Sequence, residues 1–459
     1  MKISIENIGH VKHAEIEVNS ITVIAGNNNT GKSTVGKALY ASATGLNLLK
    51  SGRVFEDKLN SIKTKLNALQ NLVELSPLPQ KKIRELIKYS SISELLMSSD
   101  IDLADFTIEK LDKIYTDEML QNLDGFFKML ELDSHGDREA IASRMGILQV
   151  VREDIIRLLQ TSLTDPKFQM NIMQKVFEEE FFEQISHLND ISLKSEIRIQ
   201  ELNENEIKLV FKEHQIVPEE TRLQVSRSFS KAFYIDNPFI LDELQLKRMS
   251  QSRRNMYNHS ETLKNILSPS LDLEDRNLFE LNNIESKIEG IFKYVMKEGK
   301  LVKHKGRTYF EKTGMDVPLH IENMSTGLKS FSILYMLLTS NDLSSCEYII
   351  LDEPEIHLHP DWQLKYAELV VLMSKELNIK VIITSHSPYF IEAIELYSKK
   401  HAFLPGVRFY RTKLENRKSQ RYLIEDATNN VKKLYDDLAV AFYSLEELRN
   451  QIEEDENVN

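Results

Sequence analysis

Residues 21–34 read Ile21-Thr22-Val23-Ile24-Ala25-Gly26-Asn27-Asn28-Asn29-Thr30-Gly31-Lys32-Ser33-Thr34. The first five form an apolar run of strand character, and the rest is a G-x-x-x-x-G-K-S loop. Val35 to Leu49 reads as the helix that follows. Glycines let such a backbone curl, so that successive N–H groups and the helix N-terminus converge on phosphate oxygens. In such a loop the lysine, Lys32, reaches the β- and γ-phosphates of a nucleoside triphosphate, and the Ser33 hydroxyl is a Mg²⁺ ligand. Gly26, Asn27, Asn28, Asn29, Thr30, Gly31, Lys32, Ser33 and Thr34 are therefore read as the binding loop, with ATP and Mg²⁺ as its ligands. The loop sets the ligand and leaves the purpose open.

The chain has 459 residues, more than one compact domain usually holds, so two or three lobes are expected. Its hydrophobic content of 41% and charged content of 28% are ordinary for a globular protein. A formal net charge of −12 argues against a surface that tracks nucleic acid throughout, while leaving room for a local basic groove. The single cysteine, Cys346, cannot support a disulfide framework. The start MKISIENIGH lacks a signal-peptide pattern, and no apolar stretch is long enough to span a bilayer. These features predict a cytoplasmic protein with no membrane contact.

Periodicity divides the chain. Lys2 to Ile8 and Val11 to Val18 alternate as two antiparallel strands feeding the loop strand, giving an N-terminal lobe over 1–50 that carries the nucleotide loop. Leu59, Ile62, Leu66, Leu69 and Val73 form a helical seam, and further helical stretches follow at 81–89, 118–132, 141–160 and 171–188. Prolines 77, 79 and 166 cut this region into short pieces, so 51–190 reads as a compact helical insertion rather than a coiled-coil arm. Strands return over 191–240, with a hairpin at Ser192–Gln200 and Ile207–Lys212 and a short buried strand at Ala232–Ile235. A second helical insertion covers 241–304. Helix and strand then alternate over 305–400, which argues for a parallel sheet with covering helices. Residues 401–459 are read as a tail for partner binding or oligomerisation, in which Leu434, Leu438, Phe442 and Leu445 place one apolar face on a helix at Val431–Leu448.

Three further stretches carry chemistry. Tyr348-Ile349-Ile350-Leu351-Asp352-Glu353 is a buried strand delivering two carboxylates, of which Asp352 suits the metal shell opposite Ser33. Glu353 suits a general base that polarises water for attack on the γ-phosphate. The bland alternative is an acidic strand end facing solvent. Val381-Ile382-Ile383-Thr384-Ser385-His386 delivers a histidine that can touch the γ-phosphate, or else makes a structural hydrogen bond. Met324-Ser325-Thr326-Gly327-Leu328-Lys329-Ser330 precedes an apolar helix. Ser325 and Gly327 there can serve a phosphate, although on these residues alone an ordinary helix cap is favoured.

In this order the motifs resemble the ABC/SMC/RecF-type ATPase head, which implies an α/β fold with a mixed sheet, flanking helices and helical insertions. The resemblance covers about 1–50, 190–240 and 305–400. It implies that Ser325 and Gly327 form a signature motif acting on the nucleotide of a second copy, in a homodimer that sandwiches two ATP molecules and builds into a higher oligomer. The motif reads MSTGLKS rather than the transporter-like LSGGQ. No glutamine announces itself as the family's Mg²⁺-contacting Gln loop. The string Asp352-Glu353-Pro354-Glu355-Ile356-His357-Leu358-His359-Pro360 is similar to AAA family ATPases related to the OLD nucleases. His357 and His359 are taken as part of that turn rather than as a metal pair. The OLD nucleases carry a TOPRIM-type nuclease domain after the ATPase, and residues 389–459 are too few to supply one. A head without an effector domain resembles the ATPase subunits of bacterial two-gene anti-phage systems. Septu, which pairs with an HNH-type nuclease, is the first candidate; PARIS, which pairs with a TOPRIM effector, is the second.

Two other functions stay open. A RecF-like ATP-dependent DNA-binding repair protein would use the basic runs Lys297, Lys300, Lys303, Lys305, Arg307 or Lys399, Lys400, Arg408, Arg411, Lys413, although a solvated, charge-balanced face is the favoured reading of both. A ribonuclease is the other. Arg254-Asn255-Met256-Tyr257-Asn258-His259 matches the R-N-x-x-x-H pattern of HEPN ribonucleases, which implies Arg254 and His259 at a ribose phosphate. Such short patterns recur by chance.

Overall fold

The structure is a computed structural model. It describes residues 1–459 apart from 51–52, 73–76, 89–107, 133–137, 201–205, 224–230, 245–256, 269–285, 298, 305–306, 341–342, 344–345, 417–419, 439–443 and 453–459. The chain divides into two compact units, Met1–Gly45 with Met173–Asn459, and Leu46–Ile172.

The first unit is built on an 11-stranded sheet. Its strands are β1 (Lys2–Ile8), β2 (Val11–Glu17), β3 (Ile21–Ala25), β4 (Ser195–Gln200), β5 (Ile207–Lys212), β6 (Gln215–Ile216), β7 (Lys231–Ile235), β11 (Cys346–Asp352), β12 (Lys380–Ser385), β13 (Val407–Leu414) and β14 (Tyr422–Asp426). A separate three-stranded sheet holds β8 (Lys300–His304), β9 (Arg307–Glu311) and β10 (Leu319–His320). The order in the large sheet is β6-β5-β4-β1-β2-β14-β13-β3-β12-β11-β7. From β13 to β7 every pairing is parallel, whereas β4, β1 and β2 pair antiparallel. The sheet is therefore mixed, with a parallel half and a largely antiparallel half.

Local sequence explains the two halves. All five residues of β3 are buried, as a near-continuous apolar run requires of a strand covered on both faces. In β1, Ile3, Ile5 and Ile8 are buried while Lys2 and Glu6 are exposed, the alternation of a strand with one wet face. The helices of this unit are α1 (Lys32–Lys50, which continues past Gly45), α6 (Pro166–Phe181, which starts before Met173), α7 (Ile240–Glu243), α8 (His259–Leu267), α9 (Ser286–Met296), α10 (Thr326–Leu338), α11 (Pro360–Leu377), α12 (Pro388–Lys400) and α13 (Val431–Leu438). One core joins α8 to α13 to the sheet, including Leu263, Phe292, Phe331, Tyr366, Phe390 and Leu434 with Val23, Leu351 and Val407.

Two expectations are corrected here. Sequence order suggested that β1 and β2 feed straight into β3, but β14 and β13 lie between β2 and β3. Val407–Leu414 and Tyr422–Asp426 are consequently interior strands of the sheet rather than a tail for partners. Of the expected docking helix, α13 covers Val431–Leu438, Leu434 is 1% exposed and packs into the core, and 439–443, with Phe442, lie outside the described residues. Leu445, in helical residues 444–452, is exposed.

The second unit is helical, with α2 (Arg53–Leu72), α3 (Pro77–Lys88), α4 (Ile108–Leu132) and α5 (Arg138–Gln160). Pro77 and Pro79 sit in the first turn of α3, where a missing N–H costs little. Leu59, Ile62, Leu66 and Leu69 are all buried in this unit's core, and Val73 lies outside the described residues. Lys58 is a buried charge here, as is Asp112. Its ammonium donates to Asp112 Oδ1 (2.6 Å) and to the carbonyls of Leu159 and Thr161 (both 2.9 Å), so all three donors are used. No helix among the described residues is long and apolar enough to cross a membrane.

Candidate nucleotide site

The parallel strands end together. Ile235 pairs with Leu351, Leu351 with Ile383, Thr384 with Ile24, and Ile24 with Tyr410. One rim therefore gathers Asp236, Asp352, Glu353, Ser385, His386 and the loop at Gly26, at the carboxyl ends of parallel strands where α/β sheets place ligands.

The loop is held from below and from the side. Gly26 N donates to Ser385 O (3.2 Å), and Thr30 Oγ1 donates to Asn27 O (2.8 Å). Asn29 and Gly31 have φ of +61° and +88°, the left-handed region that asparagine and glycine tolerate. A Cβ at Gly26 would lie 1.9 Å from Thr412 Oγ1, so this glycine is also what allows β13 to pass so close.

Asp352 is the hub of the rim. Its Oδ1 accepts from Ser33 Oγ (3.0 Å) and from Thr384 Oγ1, and its Oδ2 accepts from Tyr234 OH (2.8 Å). Burial, reinforced by the charge of Asp352, pushes the Tyr234 hydroxyl well above its ordinary value, so it stays a donor. Ser33 and Asp352 thus bring two hard oxygens together. That donor set fits Mg²⁺, which takes one or two protein oxygens and keeps water and phosphate oxygens for the rest.

Lys32 is 3% exposed; it donates to Asn27 O (2.8 Å) and lies 3.1 Å from Glu353 Oε1. Glu353 has φ +50°, a costly conformation for a non-glycine residue, and its N–H donates to Thr384 O (3.0 Å). His386 Nδ1 stands 3.5 Å from Glu353 Oε1 and 3.7 Å from Glu355 Oε1. Lys32, Ser33, Asp352, Glu353 and His386, separated by up to 354 positions in the chain numbering from 32 to 386, are thus brought together.

Ser325 and Gly327 have their neighbours elsewhere. Ser325 is the N-cap of α10 and accepts from Leu328 N (3.4 Å), as the capping preference of serine predicts. Gly327 packs under α11, where a Cβ would lie 2.8 Å from Trp362 Cε3. Lys329 of the same motif is buried and donates to Asp242 Oδ1 (2.5 Å) and Glu322 O (2.8 Å), tying α10 to α7. His359 caps α11, and the His357 ring packs edge-on to Phe239 at 5.5 Å.

The sequence reading missed Tyr234 and Glu355. Both lie in stretches it quoted, but their partners are fixed by neighbouring strands. His259 receives a different place from the one its motif suggested. It is 5% exposed, with Nδ1 2.7 Å from Glu180 Oε1 and Nε2 3.0 Å from Asp236 Oδ2. Burial alone would lower its pKa, but the bonds to Asp236 and Glu180 outweigh that and raise it to about 9. Asp236 is held below the usual carboxylate range, because His259 outweighs the effect of its burial. A ring enclosed in this way supports α8 and β7 rather than meeting RNA, and Arg254 lies outside the described residues.

A raised folded pKa gives stability that is fully present below the unfolded value near 6.5 and lost as pH rises through about 9. The melting temperature is therefore expected to fall between pH 7 and pH 10. His259→Gln should melt lower at pH 7 and show a flatter profile, the difference at pH 7 being about 2–3 kcal/mol. Parallel profiles for the two proteins would remove His259 as the cause.

Most of the second basic run is charge-balanced. Lys400 meets Glu368 (2.8 Å), Arg411 meets Glu425 (2.9 Å) and Asp437 (2.8 Å), and Lys413 meets Glu425 (2.9 Å). Lys399 pairs with Glu395, and in the first run Lys300 lies 3.7 Å from Glu311. Lys305 is outside the described residues.

A nucleotide loop, a metal-ready carboxylate and a strand-end histidine on a parallel rim define a nucleotide-binding ATPase domain. The family model described as AAA ATPase domain matches residues 1–391, and the chain belongs to that family. Among solved structures it is similar to an SMC head domain from Thermotoga maritima, at 10% identity over 93% of this chain and 97% of that one, with a TM-score of 0.36. It is also similar to an Smc head bound to the C-winged helix domain of ScpA, at 12% identity, 93% and 96% coverage and a TM-score of 0.38. A third similar structure is the Smc head domain with a coiled coil and joint from Pyrococcus yayanosii, at 12% identity, 95% and 98% coverage and a TM-score of 0.34.

Proposed function

We propose that this chain is an ATPase that dimerises around ATP and passes the state of the nucleotide to a partner nuclease. The observation that carries the ATPase reading is the meeting of Lys32, Ser33, Asp352, Glu353 and His386 on one rim. In this reading the 26–34 loop wraps the phosphates and Lys32 neutralises them. Ser33 and Asp352 would hold Mg²⁺, which would supply positive charge against the phosphates. Glu353 orients the attacking water and takes its proton, and His386 contacts the γ-phosphate.

Ser325 and Gly327 at the start of α10 are assigned to the nucleotide of a second copy. Each loop is then half a site, ATP acts as a clasp, and hydrolysis loosens it. The partner is the part argued from resemblance alone: an HNH-type nuclease in a Septu-like anti-phage pair is favoured over a TOPRIM effector in a PARIS-like one. The pairing of the second basic run with acidic residues supports a protein partner over a DNA-binding repair role.

Sedimentation of the purified chain with ATP and with ADP tests the clasp. A dimer or larger assembly with ATP and a smaller species with ADP is the expected pattern, and Ser325→Arg should abolish the difference. Identical sedimentation in both nucleotides removes the clasp. For the partner, the genes beside this one should include a nuclease whose product co-purifies with the chain. A neighbourhood without a nuclease or toxin gene removes that part of the proposal and leaves the ATPase intact.

A further inference from the structure

Glu355 has no part in the chemistry assigned above. It follows Glu353 and Pro354 in the turn after β11, which is closed by Ile356 N to Glu353 O (3.2 Å) and Leu358 N to Glu355 O (3.0 Å). Its side chain points back into the protein and is 3% exposed. One oxygen, Oε1, accepts from three donors on the neighbouring turn after β12: Ser385 Oγ (2.5 Å), His386 N (3.1 Å) and Ser387 N (3.3 Å). The other, Oε2, is buried without a hydrogen-bond partner.

That distribution is uneconomical for a residue that only fills space. A buried carboxyl oxygen without a partner destabilises the fold, and burial pushes the Glu355 carboxyl above its usual range. Every bond its side chain makes goes to the turn that carries His386. Gln363 of α11 adds a second tie between the same turns, donating to Glu355 O (3.3 Å) and Leu358 O (3.2 Å) and accepting from Ser387 Oγ (3.4 Å). The two turns are therefore joined at several points. The His386 Nδ1 atom, itself buried without a hydrogen-bond partner, lies near both Glu353 and Glu355, and Lys32 lies 3.1 Å from the same Glu353 oxygen.

We infer that Glu355 is a positioning residue for hydrolysis, fixing His386 against Glu353 so that the phosphate-contacting ring and the water-orienting carboxylate keep one geometry. It acts through His386 and touches neither water nor phosphate. The inference rests on the ATPase reading and assigns that site a residue it lacked. Groups that orient a working side chain from behind it commonly affect activity about 10–100-fold when removed.

The test is steady-state turnover and ATP affinity for the wild type, Glu355→Ala, Glu355→Gln, His386→Ala and the double variant Glu355→Ala/His386→Ala. Glu355→Ala should lower kcat about 10–100-fold while the Kd for ATP changes less than about twofold. Glutamine keeps a carbonyl oxygen at the same reach, so Glu355→Gln should recover turnover to within about threefold of wild type. On the His386→Ala background, Glu355→Ala should cost less than about twofold more. Effects that multiply in the double variant, or a glutamine variant as slow as the alanine one, overturn the inference. So does an affinity loss as large as the loss of kcat.

Should Glu355→Ala melt below the assay temperature, Ser385→Ala removes one of the three donors instead. It should slow turnover about threefold or more in the wild type and not on the His386→Ala background; equal slowing in both overturns the inference. A wild type that binds ATP without hydrolysing it overturns the ATPase reading and this inference together. An active wild type with a multiplicative cycle overturns the inference alone.

Discussion

Glu353→Gln is expected to bind ATP as the wild type does, to turn it over at least about 100-fold more slowly and to accumulate as a dimer. The substitution keeps the size of the side chain, and its carbonyl oxygen can still accept from Lys32, which lies 3.1 Å from Glu353 Oε1. On the proposed role of Glu353, the loss is confined to the basic oxygen that takes a proton from water. General-base groups supply about 10²–10⁴-fold, so the decrement falls on kcat. On the proposed clasp, which opens on hydrolysis, the arrested protein should run as the ATP-bound assembly in sedimentation or size exclusion. Turnover at the parent rate would falsify the assignment of Glu353 as base.

Lys32→Ala is expected to weaken ATP binding by about 100-fold or more and to abolish ATP-dependent association. Charge-assisted bonds to phosphate are among the strong ones, and the Lys32 ammonium is buried at the loop's centre. The change also removes the cation beside Glu353. That carboxylate retains 21% side-chain exposure, so the melting temperature should move by only a few degrees. Calorimetry with ATP and a thermal melt give both quantities. An alanine variant that binds ATP normally would show that the phosphates lie away from Lys32. The two variants move association in opposite directions, which separates loss of the ligand from loss of its turnover.

The parts of the site that were legible in the sequence are those that a local pattern specifies. An apolar strand followed by a glycine-bounded loop announces Lys32 and Ser33. An apolar strand ending in acids announces Asp352 and Glu353, and a third such strand announces His386. The helical seam from Leu59 to Leu69 was legible for the same reason, since its spacing alone sets which face is buried. Contacts between strands far apart in the chain were not legible. Nothing in Val407–Leu414 says that it pairs with β3, because strand order in a sheet is a long-range choice among similar apolar segments. Tyr234 read as one more buried aromatic until β7 proved to lie beside β11, which puts its hydroxyl on Asp352. The left-handed backbone of Glu353 was equally hidden, since neither glycine nor asparagine marks that position.

The pairing of β3 bears on how the protein is made. Ile21 pairs with Val381 and Val407, on strands synthesised more than about 350 residues later. Contacts between such distant parts of a chain form slowly, and strand edges left unpaired in the meantime invite association with other chains. A ribosome that has passed the nucleotide loop holds, until those strands emerge, an apolar strand with both edges open. Shielding of that strand in the nascent chain is therefore expected to govern the yield of folded protein.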